Sequence, residues 1–399
     1  MKSINTLHSM RSLWHKKTTK KNTMPEAIVS DSHIGTSMWQ ASMLKLLGIE
    51  TEIHSLSNHA HYAGHEATVC NRLFKNIEAL SRTRVHSEFM KSSELSLLRF
   101  ALCSFPPSRI EAIEKLPESV KPILNIGHRI HIHVPGDRLV QFTEKIKFLA
   151  DSKRIKLATM SEYDYHYTRY YTGLDLYKLP VMSAHIPETI TKGAYNPTNK
   201  VILIGPSHNT QTIIGFSNNL DELNRLSAEF AKLHQMEPYT FDFIKSIYPG
   251  DTASPEKLSR HPAALINPYS AFSISMIELY QMNIPFFVPS DDLLINQMGD
   301  VRLFPIYQSQ DSVNALEHHY PKPQYGYNSS PNDTSPESQR EWLTYMFFNQ
   351  VAHAQRWRTQ EELLNLIYTT NMSALHAKMQ TENEAAFRAQ KAAWATFLN

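Results

Sequence analysis

The feature that most constrains the fold is an alternation of short apolar runs with amphipathic stretches, which stops at one break and then starts again. "EAIVS" (26–30) reads as a strand and "DSHIG" (31–35) as a turn. A helix follows at 36–47, with Met38, Leu44 and Leu47 on one face and Gly48 as its stop. "IETEIHSL" (49–56) alternates as a strand, which closes a βαβ unit and favours a parallel sheet. Further strands are expected at 97–105, 121–127, 154–160 and 177–185, with helices at 108–116 and 138–151. That series predicts a Rossmann-like domain. Residues 186–200, with Pro187, Gly193 and Pro197, break the periodicity and read as a linker. The alternation resumes with strands at 200–206, 262–269 and 284–290 and helices at 217–235 and 270–283. A Pro/Asn/Ser-rich loop is expected at 319–338 and mostly helix from 339 to 399. The fold class is therefore α/β, with two Rossmann-like domains, at 25–190 and 191–372, and a C-terminal helix at 373–399.

Composition narrows the function. Apolar residues make up 42% of the chain, enough for sizeable cores. No window of about 20 residues is both apolar and free of charge, so no transmembrane segment is expected. Two cysteines allow neither a disulfide framework nor a four-cysteine zinc site. Residues 1–23 carry six Lys/Arg and no acid; they read as a disordered arm or as an organelle transit peptide, on an otherwise cytoplasmic expectation. The rest of the chain then holds 34 basic against 38 acidic side chains, so nucleic acid is not an expected partner. Neither G-x-G-x-x-G nor G-x-x-x-x-G-K-[ST] occurs. The histidine-rich run "NHAHYAGHE" (58–66) lacks H-E-x-x-H, and no metal is expected.

The run "HPAALINPYSAFSISMIELYQMNIPFFVPS" (261–290) resembles the donor-site segment of GT-B glycosyltransferases. There a buried strand ends in a Pro-rich turn, a helix carries a glutamate, and a strand follows directly. The resemblance implies two domains facing across a cleft, a nucleotide-sugar in the C-terminal domain and a hydroxyl acceptor in the N-terminal one. Glu278 stands at the glutamate position, where a carboxylate accepts from a ribose diol. Tyr269, Ser270 and Ser273 sit at the helix start, where free N–H groups suit a diphosphate. Gly205, Ser207, His208 and Asn209 in the loop after the 200–206 strand complete the donor set. The chain departs from one large GT-B family: Ser270 stands where a second glutamate is found, and residues 205–212 hold no arginine or lysine. Glu278 is the only acid between Glu256 and Asp291, and no buried partner is expected for it.

Sugar transfer requires a base for the acceptor hydroxyl. Asp31 and His33, directly after the first strand, are the first candidates, although Asp31 also suits a helix cap. His128 follows the 121–127 strand, and Asp164 lies in the Tyr-rich run 160–173. In that run Glu162, Tyr163 and Arg169 are candidates for acceptor binding, while five tyrosines equally suit the packing of a helix. The expected function is metal-independent, cofactor-free glycosyl transfer. The alternatives are a nucleotide-sugar epimerase on the same architecture and a binding protein without turnover.

Overall fold

The computed structural model describes residues 26–31, 34–55, 99–103, 118–132, 134–179, 182, 184–193, 195–205, 216, 220–249, 253–268, 270–271, 273–298 and 310–399. Two parallel sheets organise them. The first holds β1 (Ala27–Asp31), β2 (Thr51–Ser55), β3 (Phe100–Cys103), β4 (Lys121–Ile126), β5 (Lys156–Thr159) and β6 (Tyr177–Lys178), in the order β2-β1-β3-β4-β5-β6. The second holds β7 (Val201–Gly205), β8 (Thr240–Phe243), β9 (Ala264–Ile266), β10 (Phe286–Pro289) and β11 (Gln355–Trp357), in the order β11-β10-β9-β7-β8. Counted from its own first strand, the first sheet runs 2-1-3-4-5-6 and the second 2-1-3-4-5. The order therefore reverses once per sheet, beside β1 in the first and beside β7 in the second.

The strands of the second sheet alternate strictly. Ile202, Ile204, Leu265 and Phe287 pack into an outer core with Leu363 and Ile367. Leu203, Ala264, Ile266, Phe286 and Val288 point the other way, into a core continuous with Val29, Leu102 and Ile123 of the first sheet. One apolar core thus joins the two sheets. The main described helices are α1 (Ile34–Leu46), α2 (Leu139–Asp151), α3 (Glu162–Thr172), α4 (Leu220–Leu233), α5 (Ile274–Gln281), α6 (Asp291–Met298), α7 (Gln310–His319), α8 (Pro336–Leu343), α9 (Gln360–Thr369) and α10 (Met372–Leu398). Among the described residues, no helix is long and apolar enough to cross a membrane.

Helix α10 spans about 40 Å at 1.5 Å per residue. Near its start His376 Nδ1 donates to Asn283 O (2.7 Å), and Asn383 Nδ2 donates to Tyr280 O (2.9 Å), which supplies donors to a C-terminal carbonyl of α5 and to one in the turn after it. Near its end Trp394 packs edge-to-face on Trp39 of α1, and Lys156 Nζ of β5 donates to Phe397 O (2.6 Å). One helix therefore grips both sheets.

Several boundaries differ from the sequence reading. The strand expected at 177–185 is two residues long, because it forms the exposed edge of its sheet and Pro180 follows. The helix expected at 270–283 begins at Ile274, because Ser273 caps it by accepting from Met276 N (3.2 Å). Strand β8 was not expected, since four residues after Pro238 are too short to show a period; β11 lies in a stretch read as helix. The tail 1–23, the helix at 108–116 and the histidine run 58–66 lie outside the described residues.

Candidate functional site

In open parallel sheets, ligands bind at the C-terminal strand ends where the strand order reverses. Here those ends are Asp31 on β1 and Gly205 and Asn267 at β7 and β9. Asp31 is fully buried. Asn267 N donates to Gly205 O (3.3 Å), and a Cβ on Gly205 would lie 2.7 Å from Ile244 Cδ1, so a larger residue at that strand end would have to displace the Ile244 side chain. Helices α1 and α5 leave from these ends. Their first turns touch: a Cβ on Gly35 would stand 3.1 Å from Ile274 Cγ2. Two helix N-termini, one from each sheet, thus lie side by side.

Glu278 sits just over one turn into α5 and is buried, with a side chain 9% exposed. Its Oε1 lies 2.8 Å from His185 Nε2, whose side chain is 8% exposed. This corrects the expectation that Glu278 has no buried partner. His185 belongs to the segment that connects β6 to β7, and that segment makes further polar contacts with the same helix. Gln281 Nε2 donates to Met182 Sδ (2.8 Å), and Asn283 Nδ2 donates to Thr191 O (2.7 Å). Asn283 adopts φ 58°, the left-handed turn that ends the helix. Ser270 is half-buried in the turn before α5, and Ser273 serves as the cap while keeping its own proton to donate.

At the first sheet, Ser161 caps α3 by accepting from Asp164 N (3.1 Å), and its hydroxyl donates to Asp164 Oδ2 (2.6 Å). Asp164 is almost fully buried. Burial pushes its carboxyl up to about 7, against the Ser161 hydrogen bond and the Arg129 charge, which both pull it down. Arg129 follows β4 and lies over the rings of Tyr163 and Tyr167, at 5.7 and 5.6 Å. Two residues on, His131 is buried against Phe142, Tyr167 and Tyr171, with Nε2 at 2.8 Å from Thr143 Oγ1. Burial depresses its imidazole to about 3, so it is neutral at physiological pH. His128 is half-buried at the same strand end.

The three expected acceptor residues do not converge. Tyr163 faces the core, and Tyr165, Tyr167, Tyr170 and Tyr171 are buried with it. The tyrosines therefore pack a helix, the second of the two readings their pattern allows. Glu162 and Arg169 lie two turns apart on the outer face. Glu162 Oε2 pairs with His166 Nε2 (3.5 Å) and Lys178 Nζ (2.7 Å); the His166 contact first, and Lys178 after it, hold its carboxyl down at about 2 against burial. Arg169 donates to Tyr165 Oη (3.0 Å) and pairs with Asp175 (3.6 Å). His33, Ser207, His208, Asn209 and Tyr269 lie outside the described residues.

Sequence reasoning missed His185 and Arg129. No periodicity marks His185 in the irregular run before Pro187. Arg129 was overshadowed by the histidines around it, although an arginine directly after a buried strand was itself a usable signal. No family model and no curated protein sequence matches this chain.

Proposed function

We propose that the protein is a glycosyltransferase of GT-B type, moving a sugar from a nucleoside-diphosphate sugar to an acceptor hydroxyl without a metal. The observation that carries the reading is the apposition of α1 and α5. Both helices leave strand ends where the strand order reverses, and one turn into α5 stands a carboxylate. In this reading the diphosphate takes the unsatisfied N–H groups and positive end of α5, with Ser270 and Ser273 as further donors. Glu278 takes the ribose diol. The acceptor lies on the side of the first sheet, where Asp31 and Asp164 are the buried carboxylates among the described residues. A carboxyl held near 7 suits a general base at neutral pH, which favours Asp164. His33 and His128 are the remaining candidates for that proton.

A second reading, a sugar- or nucleotide-binding protein without turnover, is favoured by two specific observations. Glu278 is already engaged by His185, and Asp164 is engaged in a helix cap. Incubation with UDP-, GDP-, ADP- and CMP-sugars, with and without hydroxyl acceptors, separates the two. Release of nucleotide with formation of a glycoside is the expected result. Binding without consumption selects the second reading, and neither binding nor consumption contradicts both.

A further inference from the structure

The carboxylate assigned to the ribose is covered. Glu278 and His185 are each about nine-tenths buried and meet at 2.8 Å, so the imidazole stands over one of the two oxygens that a vicinal diol would take. A cis-diol engages a carboxylate through both oxygens, one hydroxyl to each. Solvent reaches too little of this pair for a ribose to enter beside the imidazole. His185 is also not an isolated side chain. It sits in the connection between the two sheets, whose residues Met182 and Thr191 meet Gln281 of the same helix and Asn283 of the turn that ends it. The contacts fall on two residues of the helix and one of the turn that ends it, and on both sides of His185, so moving the imidazole moves the segment.

Resting on the proposed nucleotide site, we infer that ribose and His185 compete for Glu278, so that nucleotide occupancy and seating of the 182–191 connection on α5 exclude one another. The connection is the covalent path from the first sheet to the second. Binding at Glu278 therefore frees the link between the domains, and a seated link holds the site closed. Part of the intrinsic affinity for nucleotide is spent on displacing an existing charge-assisted hydrogen bond. A protein without the imidazole is spared that loss.

The test is calorimetric titration of UDP, GDP, ADP and CMP into the full chain, and then of whichever binds most tightly into His185→Ala. The nucleotide is expected to bind the variant about tenfold more tightly or better, the scale of one charge-assisted hydrogen bond. Its 2′,3′-dideoxy counterpart is expected to bind both proteins alike, since it has no diol to compete; a purely structural role for His185 would not distinguish the two ligands. Backbone amide exchange on the wild type gives a second reading that needs no variant. The amides of Ile190 and Lys192, bonded to Pro187 O and Glu188 O, are expected to exchange faster when nucleotide saturates the protein. Equal or weaker nucleotide affinity in His185→Ala, or slower or unchanged exchange at these amides, overturns the competition while leaving the nucleotide site in place. Failure of the wild type to bind any of the four nucleotides overturns the site and the competition together.

Discussion

Helices α3 and α5 invite comparison. Each follows a parallel strand, each is capped by a serine, and each buries an acid within its first five residues. Their acids are balanced differently. Asp164 is held by the serine of its own cap, three residues away, and feels the Arg129 charge. Glu278 is held by an imidazole 93 residues away in sequence. Burial makes Asp164 costly to ionise, and its carboxyl rises to about 7 although the Ser161 hydrogen bond and the Arg129 charge pull it down. A carboxylate satisfied from a distant segment ties two parts of the chain together. A buried acid near the start of the helix of a βα unit is thus costly to ionise in one half and a joint in the other.

The contrast predicts opposite signs on mutation. For Asp164 the folded carboxyl lies above its unfolded value of about 4, so the folded state holds the proton more tightly. Stability from this group is complete below about pH 4 and is lost as pH rises through 7. Asp164→Asn keeps the shape and the acceptor but cannot ionise. It should match the wild type at pH 4 and exceed it by up to about 4 kcal/mol at pH 8, the linkage value of a shift of roughly three pH units. His131 slopes the other way. Its folded value of about 3 lies below the ordinary 6.5, so its contribution is full above 6.5 and lost toward pH 3. The two terms offset each other in the wild type between about pH 4 and 6.5. In Asp164→Asn, stability should therefore climb across that range, and urea unfolding at pH 4, 6 and 8 reads it. An Asp164→Asn protein no more stable than wild type at pH 8 would break the comparison.

Glu278→Ala should do the reverse. It strips a buried imidazole of a charged partner and loosens the connection between the sheets, at a loss of about 3 kcal/mol at pH 7. Thermal and urea unfolding of the unliganded protein measure it, and an unchanged midpoint would show that the His185 contact contributes nothing. The smallest effect sharpens the likeness of the two helices. Ser161→Ala and Ser273→Ala should each cost about 1 kcal/mol, as for any lost N-cap. Ser161→Ala should cost somewhat more at pH 8, where the ionised Asp164 loses its hydroxyl donor as well.

Much of this was legible in the sequence. Strand–helix alternation and the break at 186–200 gave two parallel sheets, because buried parallel strands are uninterrupted apolar runs such as "VILIG" and "PFFV". The edge strands β6, β8 and β11 escaped or were misjudged, since two to four half-exposed residues carry no measurable period. The helix that carries Glu278 was legible from local spacing, although its expected start at 270 lies four residues before the observed one at Ile274, where Ser273 caps it. What pairs with Glu278 was not. His185 reaches it through the path of the connecting segment, a tertiary fact with no local trace. Likewise "EYDYHYTRYY" shows aromatics and charges, but only the seating of α3 sends Tyr163 inward and Glu162 and Arg169 outward.

The central claim is that Glu278 belongs to a nucleotide site, and binding by its closest isostere tests it most directly. Calorimetric titration of a nucleoside diphosphate into wild type and Glu278→Gln, both checked for cooperative unfolding, compares a carboxylate with an amide of the same shape. The account predicts that the variant binds more weakly by about 1–3 kcal/mol, or roughly 5- to 150-fold, because the amide oxygen replaces one acceptor of two and carries no charge. Equal affinity in the two proteins would remove Glu278 from the site and contradict the account.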